Sequence, residues 1–161
     1  MQTIQIICLG KLNAKYFADG CSEYIKRLGG MCNIVVTELA EENINEKNES
    51  EALVARALEK EGEKILANVR KGSTIISLCI EGKQMSSEKL AEFFEEKALS
   101  GNGDITFVIG SSHGLSPVVK QASAVKMSMS QMTFPHQLAR LMLLEQVYRA
   151  MSINKGTKYH K

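Results

Sequence analysis

Five near-continuous apolar runs rich in β-branched residues constrain this chain more than any other feature: TIQIICLG (3–10), CNIVVTEL (32–39), STIISLCI (73–80), DITFVIGS (104–111) and AVKMSMS (124–130). Between them lie stretches with helical spacing. The first runs from about Asn13 to Leu28 and is stopped by Gly29-Gly30. The second, Ser50 to Arg70, places Leu53, Val54, Ala57, Leu58, Ile65, Leu66 and Val69 on one face. A third begins near Ser87 with Leu90, Phe93, Phe94 and Ala98 inward, and a short one follows Pro117, whose fixed φ suits a first helical turn. Apolar strands alternating with helices predict an α/β fold, a mostly parallel sheet covered by helices on both faces. At 161 residues, with no internal repeat and no low-complexity linker, the chain reads as one domain spanning 1–161.

The last helix is not amphipathic in the usual way. In QLARLMLLEQVYRAM (137–151) apolar side chains wrap more than half the circumference, and Arg140, Glu145, Gln146 and Arg149 are nearly the only polar breaks. Glu145 and Arg149 are spaced i,i+4 for an ion pair. A helix this apolar needs cover on several sides, and a small sheet supplies one. A second copy of the chain is the expected cover for another side, hence a homodimer; a central core helix within one chain is the alternative.

The formal net charge of +2 conceals an uneven distribution. Residues 38–64 hold nine acidic and four basic side chains, whereas residues 117–161 hold seven basic ones and a single acid, Glu145. The last quarter is therefore either a face for a polyanion or merely solvated basic surface. The acidic stretch AEENINEKNESE (40–51) is expected to be a solvated, mobile connection. Cys8, Cys21, Cys32 and Cys79 lie far apart with no C-x-x-C, which points to buried reduced thiols in a cytoplasmic protein rather than to zinc. His113, His136 and His160 are too widely spaced to suggest a metal site, so no metal is expected. No segment has the length and apolarity of a membrane span, and the first strand lacks the basic flank and cleavage site of a signal peptide.

P-loop, G-x-G-x-x-G, H-E-x-x-H and G-x-S-x-G motifs are all absent. Two loops following strands remain as candidates. In VIGSSHGLSP (108–117), Gly110 and Gly114 bracket a turn; in SMSQMTFPHQ (128–137), a strand gives way to Pro135 and the apolar helix. Ligands of open α/β sheets sit in crevices at the carboxyl ends of strands, and glycines let backbone approach them. A glycine turn after a strand is also often nothing more than a turn. The chain then ends NKGTKYHK, where fraying is expected, yet Tyr159, His160 and Lys161 bring an aromatic ring, an imidazole and an ammonium.

These residues together resemble the ribosomal RNA large-subunit methyltransferase H family of the knotted SPOUT superfamily. The resemblance covers essentially the whole chain and is densest in FVIGSSHGLSP and in the arrangement PH-x3-R-x4-EQ-x-YRA-x2-I-x2-G-x2-YHK; LCIEGKQMSSEKLAEFF adds an earlier segment. It implies a homodimer with a C-terminal trefoil knot, a feature that composition and spacing do not suggest. It further implies binding of S-adenosyl-methionine and methyl transfer to N3 of a pseudouridine in large-subunit (23S) rRNA on the assembled ribosome. By position, Leu78, Gly110 and the run Met129, Ser130, Gln131, Met132, Thr133 and Phe134 match cofactor-contacting residues, and Arg140, Arg149, Tyr159 and His160 match positions tied to RNA or the reaction centre. Members commonly carry Gly-Gly where this chain has Gly110-Ser111, so Ser111 is expected to be strained if that position needs a positive φ. His113 matches nothing in the pattern and receives no role.

The chemistry fits these residues. The N3 of pseudouridine carries a weakly acidic imide proton that must leave before attack, and a nearby cation stabilises the anion. Arg140, Arg149 or His160 serves this need, with His160 the direct proton acceptor. Tyr159 is suited to stack on a base, and Lys155, Lys158 and Lys161 to meet phosphates. If the final helix lies in a dimer interface, this tail emerges beside the partner's cofactor pocket. Two rival functions are a dimeric nucleotide-binding module without catalysis, which Ser111 and His113 would favour, and a SPOUT enzyme acting on transfer RNA.

Overall fold

The computed structural model describes residues 1–161. Five strands, β1 (Thr3–Leu9), β2 (Asn33–Leu39), β3 (Thr74–Gln84), β4 (Ile105–Ile109) and β5 (Val125–Ser128), form one all-parallel sheet in the order β2-β1-β4-β3-β5. Every residue of β1 and β4 is buried, as expected for central strands covered on both faces. Successive side chains of β1 serve opposite layers. Ile4, Ile6 and Cys8 join the larger core, and Ile7 and Leu9 the smaller one. β2 lies at one edge, and there burial alternates along the strand.

Helices α1 (Lys15–Leu28), α3 (Ser87–Leu99) and α5 (His136–Asn154) cover one face, and α2 (Glu51–Asn68) and α4 (Pro117–Ala122) the other. Their starts follow capping chemistry. Ser50, Ser86 and Ser116 each accept the backbone N–H three residues ahead, and Pro117 occupies the first turn of α4. Phe94 of α3 meets Phe107 of β4 edge-on, centroids 6.1 Å apart, at the centre of the larger core.

Three expectations need correction. Much of the apolar girth of α5 is covered within one chain, because α5 lies between α1 and α3 on the sheet and every residue from His136 to Ile153 is buried or half-buried. Leu143, Leu144, Val147 and Ala150 are wholly buried there, and Leu141 packs within 3.0–3.7 Å of the position a Gly20 methyl would take. The girth alone therefore does not call for a second copy. The acidic segment after β2 is solvated, Asn45 to Ser50 all being exposed, but it is tied down at both ends: Glu42 pairs with Lys64 at 3.1 Å and gives its backbone N–H to Glu61, a single 3-10 turn spans Glu46–Asn48, and Glu49 meets His113. Last, β3 outruns the expected 73–80. Leu78 and Lys83 both sit opposite Met127, so residues 79–82 swing out of the ladder before pairing resumes. Gly82 makes this possible, since a methyl there would lie 2.7 Å from the Lys126 carbonyl. No helix is long and apolar enough to cross a membrane.

Candidate active site

Parallel strands bring their carboxyl ends to one edge of the sheet, and at that edge the ends of β3, β4 and β5 open into a cleft of about 800 Å³. Three chain segments line it. From β3 come Leu78, Cys79, Ile80 and Glu81; after β4 come Gly110 through Leu115; after β5 come Met129, Ser130, Met132, Thr133, Phe134, Pro135 and His136, with Lys120 of α4 and Ala139 of α5 completing the wall. The cofactor residues expected from the sequence thus converge, except Gln131, which points outside the lining and is exposed. The sequence did not single out Cys79, Ile80, Glu81, Lys120 or Ala139, which line the cleft only because of the β3 excursion and the packing of α4 and α5.

The loop after β4 is tight. A methyl group on Gly110 would lie 2.4 Å from the Gly114 carbonyl oxygen and 2.9 Å from Leu115 Cδ2, so only glycine lets the two arms of the turn meet. Gly114 carries the positive φ, +88°, while its N–H donates to the Ser111 carbonyl at 2.9 Å. No residue other than glycine has a positive φ, so the strain expected at Ser111 is absent. Its hydroxyl instead donates to Glu61 Oε1 at 2.9 Å. His113, left without a role, bonds through Nε2 to Glu49 at 2.7 Å. In the third segment Ser130 shapes the turn, accepting from the Met132 N–H at 3.0 Å through its hydroxyl and from Ser128 Oγ at 2.9 Å through its carbonyl.

The cleft has an apolar floor, Leu78, Ile109, Leu115 and Phe134, beside hydroxyls of Ser111, Ser112, Ser130 and Thr133. At its rim Lys120 donates to Glu81, and this bond holds the Glu81 carboxyl below the usual carboxylate range. Such a cavity has the volume and mixed lining of a small-molecule site.

Cys79 is the half-buried thiol of the four; Cys8, Cys21 and Cys32 are buried. Burial pushes the Cys8 thiol up to about 12 and the Cys32 thiol to about 11, and it raises Cys21 and Cys79 as well. Native alkylation followed by mass spectrometry is therefore expected to modify Cys79 slowly and the other three not at all.

The remaining candidates form a second cluster at the far end of α5. Arg149 donates through Nε to Glu145 Oε1 at 3.0 Å and through Nη1 to His160 Nδ1 at 3.2 Å. Tyr159 donates to the same Glu145 oxygen at 3.0 Å, reaches the Tyr24 hydroxyl at 3.3 Å, and stands edge-on to Tyr148. Burial and these two hydrogen bonds raise its phenol above the ordinary value. His160 Nε2 meets Glu88 of α3 at 2.7 Å. The tail is thus folded back on its own chain, which corrects the expected fraying. Lys155 donates to the Gly30 carbonyl at 2.9 Å, and Lys158 and Lys161 are exposed. From His136 at the cleft to Arg149, thirteen residues of helix rise roughly 20 Å, so one chain does not join the two clusters.

Arg140 belongs to neither. It is 3% exposed, pairs with Glu38 at 2.7 Å, and donates to the Gly10 carbonyl at 3.0 Å. Gly10 in turn lies against His136, so Arg140 braces the cleft wall from behind. Arg140→Met is expected to cost about 1–3 kcal/mol of stability, read from denaturant melts, with kcat of the folded fraction kept within about tenfold. A proton-transfer group would instead lose about 10²–10⁴.

Comparison with known proteins agrees with this geometry. A family model described as predicted SPOUT methyltransferase matches residues 1–160. A protein of Lactococcus lactis subsp. lactis named ribosomal RNA large subunit methyltransferase H is 46% identical over 98% of this chain and 99% of its own length. Proteins of the same name from Streptococcus thermophilus and Carboxydothermus hydrogenoformans are 49% and 45% identical over the same shares. With nearly every residue matched and the expected cleft in place at the strand ends, the chain belongs to the SPOUT methyltransferase family.

Proposed function

We propose that the protein is an S-adenosyl-methionine-dependent methyltransferase acting in the cytoplasm on N3 of a pseudouridine in the 23S rRNA of the assembled ribosome, as a homodimer with a C-terminal trefoil knot. The convergence of Leu78, Gly110 and residues 129–134, apart from Gln131, on one cleft is the observation that carries this reading. The relatives' name supports the rRNA substrate. Two features support the finer statements. The chain leaving β4 must pass over β3 to lay down β5 at the sheet edge, the region in which the family's knot lies. And the clusters at the two ends of α5 are separated within a chain but meet if two α5 helices pack antiparallel about a two-fold axis. Half-buried Leu138, Leu141, Met142 and Tyr148 offer a stripe for that contact.

The bound cofactor supplies an electrophilic methyl on a sulfonium. The protein's part is orientation and proton handling. Backbone at Gly110 and along 129–134 positions the donor. At the other cluster a guanidinium has only donors, so Arg149 must meet an unprotonated Nδ1, leaving the His160 proton on Nε2 toward Glu88. When Nδ1 turns from Arg149 to the imide N–H, it accepts that proton, and Arg149 is released to face the anion. Tyr159 and the lysines at 155, 158 and 161 hold the RNA.

Ser111 and His113, the features that would favour a non-catalytic nucleotide-binding module, have partners in Glu61 and Glu49 and so lend it no support. The test is transfer of labelled methyl from S-adenosyl-methionine to ribosomes lacking the modification, to free rRNA and to transfer RNA. Label is expected on ribosomes, with mass mapping to one pseudouridine. Label on transfer RNA alone, or on nothing, contradicts the proposal.

A further inference from the structure

The loop after β4 makes one short bridge of its own, Ser111 with Gly114, and is otherwise held from behind by α2. Glu61 of α2 is 3% exposed. Its Oε1 accepts from Ser111 Oγ and its Oε2 from the Glu42 backbone N–H, each at 2.9 Å. One residue on, a methyl at Gly62 would lie 2.3 Å from Ser116 Oγ, so bare backbone seats the other end of the loop. Between the ends, His113 meets Glu49. Consecutive residues of α2 thus grip both ends of a cleft wall.

A buried carboxylate is costly without bonds to its charge. On the same face of α2, one turn to either side, stand Ala57 and Ile65, buried and apolar. An apolar residue at 61 would pin α2 to the sheet equally well. The acid stands where the methyl-donor loop begins, and it also grips the acidic segment that carries Glu49.

We infer that Glu61 is a positioning residue for methyl-donor binding: by fixing Ser111 it sets the Gly110 turn, and through the Glu42 amide it ties residues 41–49 to the same wall. This rests on the reading of the cleft as the S-adenosyl-methionine site. Glu61 does not line the cleft and touches no substrate; it acts through Ser111.

The test is calorimetric titration of the full-length protein with S-adenosyl-methionine, together with melting curves and steady-state kinetics on ribosomes. Glu61→Ala is expected to weaken binding about tenfold, and Ser111→Ala about three- to tenfold, since bonds to a charged group are the stronger kind. The double variant is expected to bind no more weakly than Glu61→Ala, because both remove one interaction. Glu61→Gln is expected to stay within about threefold of wild type, its amide oxygen accepting from the Glu42 N–H and its NH₂ donating to Ser111 Oγ. KM for the cofactor should rise in Glu61→Ala and Ser111→Ala with kcat nearly unchanged. Wild-type affinity with only a lowered melting point, or additive losses in the double variant, overturns the inference. If Glu61→Ala does not fold, Ser111→Ala decides alone, and unchanged affinity there overturns it. A wild-type protein that takes no cofactor contradicts the reading of the cleft itself.

Discussion

A protein lacking residues 157–161 is expected to bind S-adenosyl-methionine within about threefold of the intact chain, yet to methylate ribosomes at least about a hundredfold more slowly, the scale set by losing a correctly placed reacting group. The cleft is built from residues 78–139, and none of the deleted residues lines it. What the deletion removes is the second cluster: the Tyr159 contacts to Glu145, Tyr24 and Tyr148, and the His160 contacts to Arg149 and Glu88. These bonds are at the surface end of α5, so the fold should lose little stability. Binding and turnover are measured on the same preparation by calorimetry and methyl transfer. Parallel loss of both means the tail is a structural strap.

Gly110→Ala is expected to do the reverse: cofactor binding falls at least about tenfold and methylation with it, while the chain stays folded. The added methyl would sit 2.4 Å from the Gly114 oxygen, where backbone rather than a flexible side chain must move. Overpacking of this kind costs about 1–3 kcal/mol, a few degrees of melting temperature for a chain of this size and well within a typical stability. The displaced atoms are those of the cleft wall. Calorimetry and a melting curve check this directly, and wild-type affinity in the variant would show that the turn does not shape the site.

Much of the fold was legible because its signals are local. All five strands fell within a few residues of the apolar runs, and the helix starts expected at Ser50, near Ser87 and after Pro117 were met, with Ser50, Ser86 and Ser116 as their caps. The length of β3 was not legible, since Glu81 to Gln84 carry no strand-like pattern and Lys83 and Gln84 pair only because β5 lies alongside. The girth of α5 was legible, but not how its cover divides between chains: apolarity shows that cover exists, not which chain provides it. Arg140 illustrates the same limit. Its spacing in the motif is the same whether the guanidinium faces RNA or is buried on Glu38, and only packing decides. Glu61 drew no notice because a glutamate among the charges of 59–64 looks like solvated surface. The convergence of Leu78, Gly110 and 129–134 came from the family pattern; three segments so far apart in sequence give no sign of meeting.

The central claim is that one active site takes its cleft from one copy and its tail from another. Mixing the protein lacking 157–161 with the Gly110→Ala protein, each at about a tenth of wild-type activity or less alone, tests it most directly. After subunits exchange, half the dimers pair the two variants, and each such dimer holds one intact cleft facing one intact tail. Methylation of ribosomes is then expected to return to about a quarter of the wild-type rate. Activity that stays at the level of the separate variants, with mixed dimers shown by mass spectrometry to have formed, would contradict it.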